Sequence, residues 1–172
     1  DPRMVLIPGQ FKASKSLNKI LRKGNHEVSF DQDFEQVMRC CATLRNGANG
    51  TWISEDIITA YGELHHLGYA HSVEVWVAGN LAGGLYGVAV GKMFYGESMF
   101  SSASNGSKIA LTHLAKQLTR WQFGMIDCQM STPHLISLGA CEIPRSKFIE
   151  HLQELVHCEP QTNWRFDTNL FT

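Results

Sequence analysis

An α+β fold, a mixed sheet with flanking helices preceded by a short helical segment, is predicted by three observations. From residue 73 onward the hydrophobic pattern runs strand, strand, strand, helix, strand, helix, strand, helix. Turn signals at Ala78-Gly79-Asn80 and Gly91-Lys92 join the first three strands into an antiparallel meander, and the next strand follows a helix, giving a β-loop-α-β core. Before residue 51 the pattern is helical and locally basic. The expected division is therefore residues 1–50 as a basic helical lead-in and residues 51–172 as the main domain.

Length and composition fit that reading. The chain has 172 residues, enough for one domain or one domain with an appended piece. With 44% apolar residues and a net charge of −1, it has no global pull toward nucleic acid or membrane. No apolar run is long enough to span a bilayer and no signal peptide is visible. The cysteines, Cys40, Cys41, Cys128, Cys141 and Cys158, are odd in number and form no C-x-x-C pair, so reduced thiols are expected. The start, Asp1-Pro2-Arg3, has no initiator Met, and a truncated or processed chain is expected.

Residues 1–10 are read as extended. Residues 11–26 carry no acid, and Lys15, Lys19, Arg22 and Lys23 share one helical face opposite Leu17, Ile20 and Leu21. Such a stripe is either a solvated face or a contact for phosphates. Phe34, Val37, Met38 and Cys41 mark an amphipathic helix, and residues 45–50 a surface loop. Ser54 caps the next helix, Ile53 can staple to Ile58, and Gly68 ends it. His65, His66 and His71 lack metal-ligand spacing and are read as histidines hydrogen-bonded near a helix end.

Strands are predicted at residues 73–77, 81–90 and 93–98, with Gly83, Gly84 and Gly87 marking a bulge or a close approach by ligand or backbone. A polar loop at residues 101–107 leads to a helix with Leu111, Leu114, Leu118 and Trp121 inward. A strand at residues 125–129 follows, then a short helix capped by Thr132 and Pro133, a strand at residues 140–143, and a last helix burying Phe148, Ile149, Leu152 and Leu155. Trp164, Phe166 and Phe171 are expected to pack the tail back.

Two pieces stand out as sources of chemistry. Gly96-Glu97-Ser98-Met99-Phe100-Ser101 puts a carboxylate beside apolar residues. In Met125-Ile126-Asp127-Cys128-Gln129, strand alternation places Asp127 and Gln129 side by side, with Ile126 and Cys128 on the other face. A polar pair on an apolar strand is costly to bury unless hydrogen-bonded.

Several segments in fixed order resemble the bacterial leucyl/phenylalanyl-tRNA–protein transferases. They are Gly50-Thr51-Trp52-Ile53, Ala70-His71-Ser72-Val73-Glu74-Val75-Trp76, Gly83-Gly84-Leu85-Tyr86-Gly87-Val88, the Glu97 and Asp127 pieces, Ser107-Lys108, and Leu138-Gly139-Ala140-Cys141-Glu142-Ile143-Pro144-Arg145. The resemblance implies a GNAT-like catalytic domain that moves Leu or Phe, less often Met, from aminoacyl-tRNA to the N-terminal Arg or Lys of a protein. That transfer marks the acceptor for N-degron degradation in the cytoplasm. No cofactor or metal is implied, and a monomer without membrane contact is expected. Family members carry an aromatic-rich domain ahead of the Asp-Pro-Arg segment, and here Asn18 interrupts the family's basic cluster.

By the same resemblance, Asp127 and Gln129 are catalytic: the Gln129 carbonyl accepts a hydrogen bond from the attacking amine, and Asp127 orients the amide. Glu97 with Ser98 receives the acceptor cation. Leu85, Met99, Leu111, Leu114, Leu118 and Ile126 form the aminoacyl pocket, with Trp52 stacking on the terminal adenosine. Lys15, Lys19, Arg22 and Lys23 contact tRNA phosphates. Three alternatives stay open: an acetyl-CoA-dependent N-acetyltransferase on the same fold, whose pyrophosphate loop residues 101–107 do not match, a non-catalytic module for tRNA or peptide, and an aminoacyltransferase of cell-wall peptide synthesis, which shares the donor but not the acceptor.

Overall fold

Every strand among the described residues joins one mixed sheet. The computed structural model describes residues 2–44 and 52–171. In chain order the elements are β1 (Arg3–Leu6), a 3-10 turn (Pro8–Gln10), α1 (Lys15–Lys23), β2 (Glu27–Phe30), α2 (Phe34–Leu44), α3 (Glu55–His66) and β3 (Ala70–Val77). There follow β4 (Asn80–Val90), β5 (Met93–Ser101), α4 (Gly106–Arg120), β6 (Met125–Gln129), α5 (Pro133–Ser137), β7 (Cys141–Ile143) and α6 (Arg145–Leu155). The seven strands lie in the order β2-β3-β4-β5-β6-β1-β7. Only β5 and β6 run parallel, joined through α4, and the other pairs are antiparallel. This is the predicted mixed sheet, with its meander and its β-loop-α-β core.

The stretch before residue 51, expected as a helical lead-in, also supplies β1 and β2. β1 lies inside the sheet, between β6 and β7, and its Met4, Val5 and Leu6 are almost wholly buried. A run of only four residues between prolines carries too little periodicity to separate a buried strand from an extended lead-in. The loop expected at residues 45–50 lies outside the described residues.

Alternation along the strands sends side chains to two cores. Leu85 joins Leu6, Val73, Phe94 and the apolar face of α4 on one side. Its neighbour Tyr86 joins Phe34, Val37, Met38, Ile53 and Ile58 under α2 and α3 on the other. Farther along that second face, α6 covers Val5, Met93 and Met125 with Phe148. Ile149, expected inside, is 41% exposed. The stripe that faces the sheet is 148, 152 and 155, and 149 lies about 100° off it.

Local signals act as read. Ser14 Oγ accepts the Leu17 N–H at the start of α1 (3.1 Å), and Gly24 ends the helix in the left-handed region. Ser54 caps α3, with Ile53 and Ile58 both buried in one cluster. A Cβ at Gly83 would meet Gly106 of α4 at 2.5 Å, so the close approach there is by backbone. The tail folds back: Trp164 stacks on His71 (3.7 Å between ring centres) and Phe166 on Phe30 (3.9 Å).

Several buried polar groups outside the cavity described below are hydrogen-bonded. Glu74, fully buried, accepts from Ser29 Oγ (2.6 Å) and Ser72 Oγ (2.5 Å) and ties β2 to β3. His65 Nδ1 meets the Ala70 carbonyl (2.8 Å), His66 Nδ1 the Gly62 carbonyl (2.7 Å), and His71 lies between Asp31 Oδ2 (2.7 Å) and the Gly68 carbonyl (3.0 Å). Those contacts account for the histidine cluster as packing at the end of α3. Cys40, Cys128, Cys141 and Cys158 are free thiols.

Candidate active site

β5 and β6 pair over only three positions, Met93 with Met125, Phe94 with Ile126 and Tyr95 with Asp127. Beyond these, β5 continues beside β4 and β6 continues beside β1. A cavity of about 510 Å³ occupies the place where they part. Gly96, Glu97, Ser98 and Met99 line it from β5, and Ile126, Cys128 and Gln129 from β6. Leu111 and Leu114 of α4, with Leu85 and Phe94, close its apolar side, and Trp52 and Met130 stand exposed at its rim. An apolar slot with a few convergent polar groups is the usual form of a small-ligand site.

Glu97 enters the cavity because β5 is irregular at that residue. Tyr86 pairs with Ser98 and Gly87 with Gly96, which leaves Glu97 as the extra residue of a bulge. A bulge bends its strand and re-aims a side chain. Position 87 must be glycine, because a Cβ there would run into the Tyr95 carbonyl. Burial, chiefly, and the nearby Asp127 charge raise the Glu97 pKa, opposed by a hydrogen bond from Tyr61 and by Arg3. The Tyr61 hydroxyl is itself pushed up to about 12 by burial and by Glu97. Ser98 is 6% exposed and its Oγ has no hydrogen-bond partner among the described residues, so the cavity wall contains an unused donor and acceptor.

Gln129 enters by a second irregularity. Its φ is 58°, in the left-handed region, and the Met130 N–H donates to the Cys128 carbonyl (2.7 Å) to close a three-residue turn around it. A non-glycine residue held this way stores about 1–3 kcal/mol of strain and persists only where its surroundings enforce it. Two contacts do so. The Gln129 N–H donates to Asp127 Oδ1 (2.9 Å). Asp127 in turn is gripped by Arg3, Nε to Oδ1 (2.8 Å) and Nη2 to Oδ2 (2.5 Å). The β1–β6 register shifts between Met4 and Val5, opposite this turn.

The side-by-side pair expected from strand alternation is therefore not what forms. Alternation holds through Cys128, which shares the cavity face with Ile126, and fails at Gln129, whose left-handed backbone brings it to that same cavity. Asp127 is fully buried, is not part of the cavity wall, and contacts Gln129 through backbone. Cys128 borders the cavity, but burial and the Asp127 charge push its thiol up to about 12, so it is not a thiolate nucleophile at neutral pH.

Of the other sequence candidates, Trp52, Leu85, Met99, Leu111, Leu114 and Ile126 line the cavity. Leu118 does not: it is 0% exposed, in the core farther along α4. Lys15, Lys19, Arg22 and Lys23 are exposed on α1, and none borders the cavity. Sequence reasoning does not single out Arg3, Tyr61 or Leu135, yet Arg3 and Leu135 line the cavity and Tyr61 bonds Glu97. A cation heading the buried run Met-Val-Leu is the one available signal for Arg3.

Comparisons with known proteins agree with this arrangement of segments. A family model described as leucyl/phenylalanyl-tRNA protein transferase matches residues 5–153. A leucyl/phenylalanyl-tRNA–protein transferase of Nitrosospira multiformis is 58% identical over 168 residues, covering 97% of this chain and 72% of that protein. One from Nitrosomonas europaea is 55% identical over 168 residues, covering 97% of this chain and 71% of that protein. Among solved structures, an aminoglycoside acetyltransferase from an uncultured soil metagenomic sample, in complex with trehalose, aligns at a TM-score of 0.49 and 11% identity, over 84% of this chain and 96% of that one. Matched by the family model over most of its length, and sharing more than half of the aligned residues with two members over 97% of itself, this chain belongs to the leucyl/phenylalanyl-tRNA–protein transferase family.

Proposed function

We propose that the chain transfers Leu or Phe, and less often Met, from aminoacyl-tRNA to the N-terminal Arg or Lys of an acceptor protein, marking it for N-degron degradation in the cytoplasm. The observation that carries the reading is the opposition of two re-aimed polar side chains, bulged Glu97 and left-handed Gln129, on one apolar cavity. The esterified side chain occupies the slot beside Leu85, Met99, Leu111, Leu114 and Ile126. An unbranched Met adapts to such a slot, whereas a β-branched side chain fits it worse. Trp52, 48% exposed at the rim, offers its face to the terminal adenosine. Glu97 holds the acceptor's guanidinium or ammonium group, with Ser98 beside it.

The reaction needs little covalent help. The donor is already an ester, and the attacking α-amino group has a reference pKa of about 8, so a fraction of it is neutral near pH 7. The amine nitrogen forms a bond to the ester carbonyl carbon, the carbon–oxygen bond to the tRNA ribose breaks, and the ribose oxygen leaves with a proton. The Gln129 side-chain carbonyl accepts a hydrogen bond from the amine and aims its lone pair. Asp127, whose carboxylate is committed to Arg3 and to the Gln129 backbone, supports that position from behind. Holding two substrates in reacting geometry is the main gain available here.

The test is transfer of labelled Leu from charged tRNA to an Arg-starting peptide. Gln129→Ala should lower kcat about a hundredfold while charged tRNA still binds as tightly as to the parent. Parent-like turnover in Gln129→Ala would remove the amide from the mechanism.

A further inference from the structure

We infer that Arg3 is a positioning residue for the transfer: its two-pronged grip on Asp127 holds the left-handed turn that points the Gln129 amide into the cavity. The inference rests on the role given to Gln129 above. Asp127 offers two oxygens and three donors reach them, Arg3 Nε and the Gln129 N–H at Oδ1 and Arg3 Nη2 at Oδ2. The carboxylate is fully buried and outside the cavity wall, so it acts on substrate only through what it holds. Its partners are Arg3, which borders the cavity, and the backbone of Gln129, which also does. The guanidinium is itself fixed, its carbon 5.3 Å from the Phe148 ring centre, so α6 braces the grip from below.

Removing the guanidinium leaves a buried carboxylate without its counter-charge. The carboxylate is then free to turn toward water, which weakens its hold on the Gln129 N–H. A planar fork matches a carboxylate in a way that a point charge does not, so lysine replaces it only in part. Arg3 also acts electrostatically on Glu97, opposing the burial that disfavours its charge. A cation next to the acceptor's cation repels it, so loss of Arg3 does not raise the acceptor KM by that route.

Arg3→Ala and Arg3→Lys should be assayed for transfer at saturating charged tRNA, each also in a Gln129→Ala background, with and without millimolar guanidinium chloride. The expected result is a fall in kcat of about a hundredfold for Arg3→Ala and a smaller one for Arg3→Lys. KM for charged tRNA should stay near the parent value, with acceptor KM unchanged or lower. Guanidinium should restore part of the Arg3→Ala rate, and neither substitution should slow Gln129→Ala further. If Arg3→Ala does not fold, Arg3→Lys carries the same comparison. Additive losses in the double variants, or a kcat that stays at the parent level in Arg3→Lys and Arg3→Ala while Gln129→Ala is slow, would overturn the inference and leave the Gln129 role standing. A parent-like kcat in Gln129→Ala would overturn both.

Discussion

In the proposed mechanism, the charge on Glu97 links acceptor recognition to pH. Burial and Asp127 raise its carboxyl pKa above the ordinary value of 4.5, and Tyr61 and Arg3 only partly counter them. The carboxylate therefore loses its charge at a higher pH than a solvated glutamate, and the proposed hold on an acceptor cation should weaken there. Because the folded pKa exceeds the unfolded one, the folded chain binds this proton more tightly, and stability falls as pH rises through that window. Above it, the ionised side chain is a standing cost that function retains. Glu97→Gln should melt at a higher temperature than the parent at pH 7.5, with the gap closing below pH about 4, and should raise acceptor KM while leaving charged-tRNA binding intact. Melts at the two pH values and a KM titration check this. A lower melting point at pH 7.5 would contradict the burial argument.

On α4, Leu111, Leu114 and Leu118 follow one helical stripe yet do different things. Leu111 and Leu114 face the gap left where β5 and β6 part, whereas Leu118 lies beyond it against packed core. Leu118→Ala should therefore cost about 2–5 kcal/mol of stability without changing the preference between Leu-tRNA and Phe-tRNA. Leu114→Ala enlarges the slot as well, and should shift that preference toward Phe. Denaturant melts and the ratio of kcat/KM for the two donors separate the cases. The helix was legible from its period, but period alone says only which side faces inward, and lining and core are both inward.

At the scale of the whole molecule, a chain of net charge −1 must bind a polyanion locally. The exposed face of α1 bearing Lys15, Lys19, Arg22 and Lys23 is one surface of that kind among the described residues, capped by Ser14 and anchored through buried Leu17. Reversing these charges together should weaken charged-tRNA binding and lower its salt slope by about 1 for each phosphate no longer neutralised. Binding of the acceptor peptide should be untouched. Equal salt slopes in parent and variant would make the stripe a solvated face only.

The meander, the crossover helix and the caps were legible because each depends on neighbours within a few positions: a period, a cap three residues ahead of its donor, a glycine at a turn. The family, too, is carried by short segments in fixed order. The working geometry was not. Glu97 points into the cavity through an extra residue in β5, and Gln129 through a backbone that leaves the strand region, so both break the two-residue alternation from which side-chain direction is read. The second break is tied through Asp127 to Arg3, 124 positions from Asp127 in sequence and brought to it by a strand pairing that no local pattern encodes. Strain of that kind survives only where distant parts of the chain meet to hold it, and such a meeting exists only in the folded molecule.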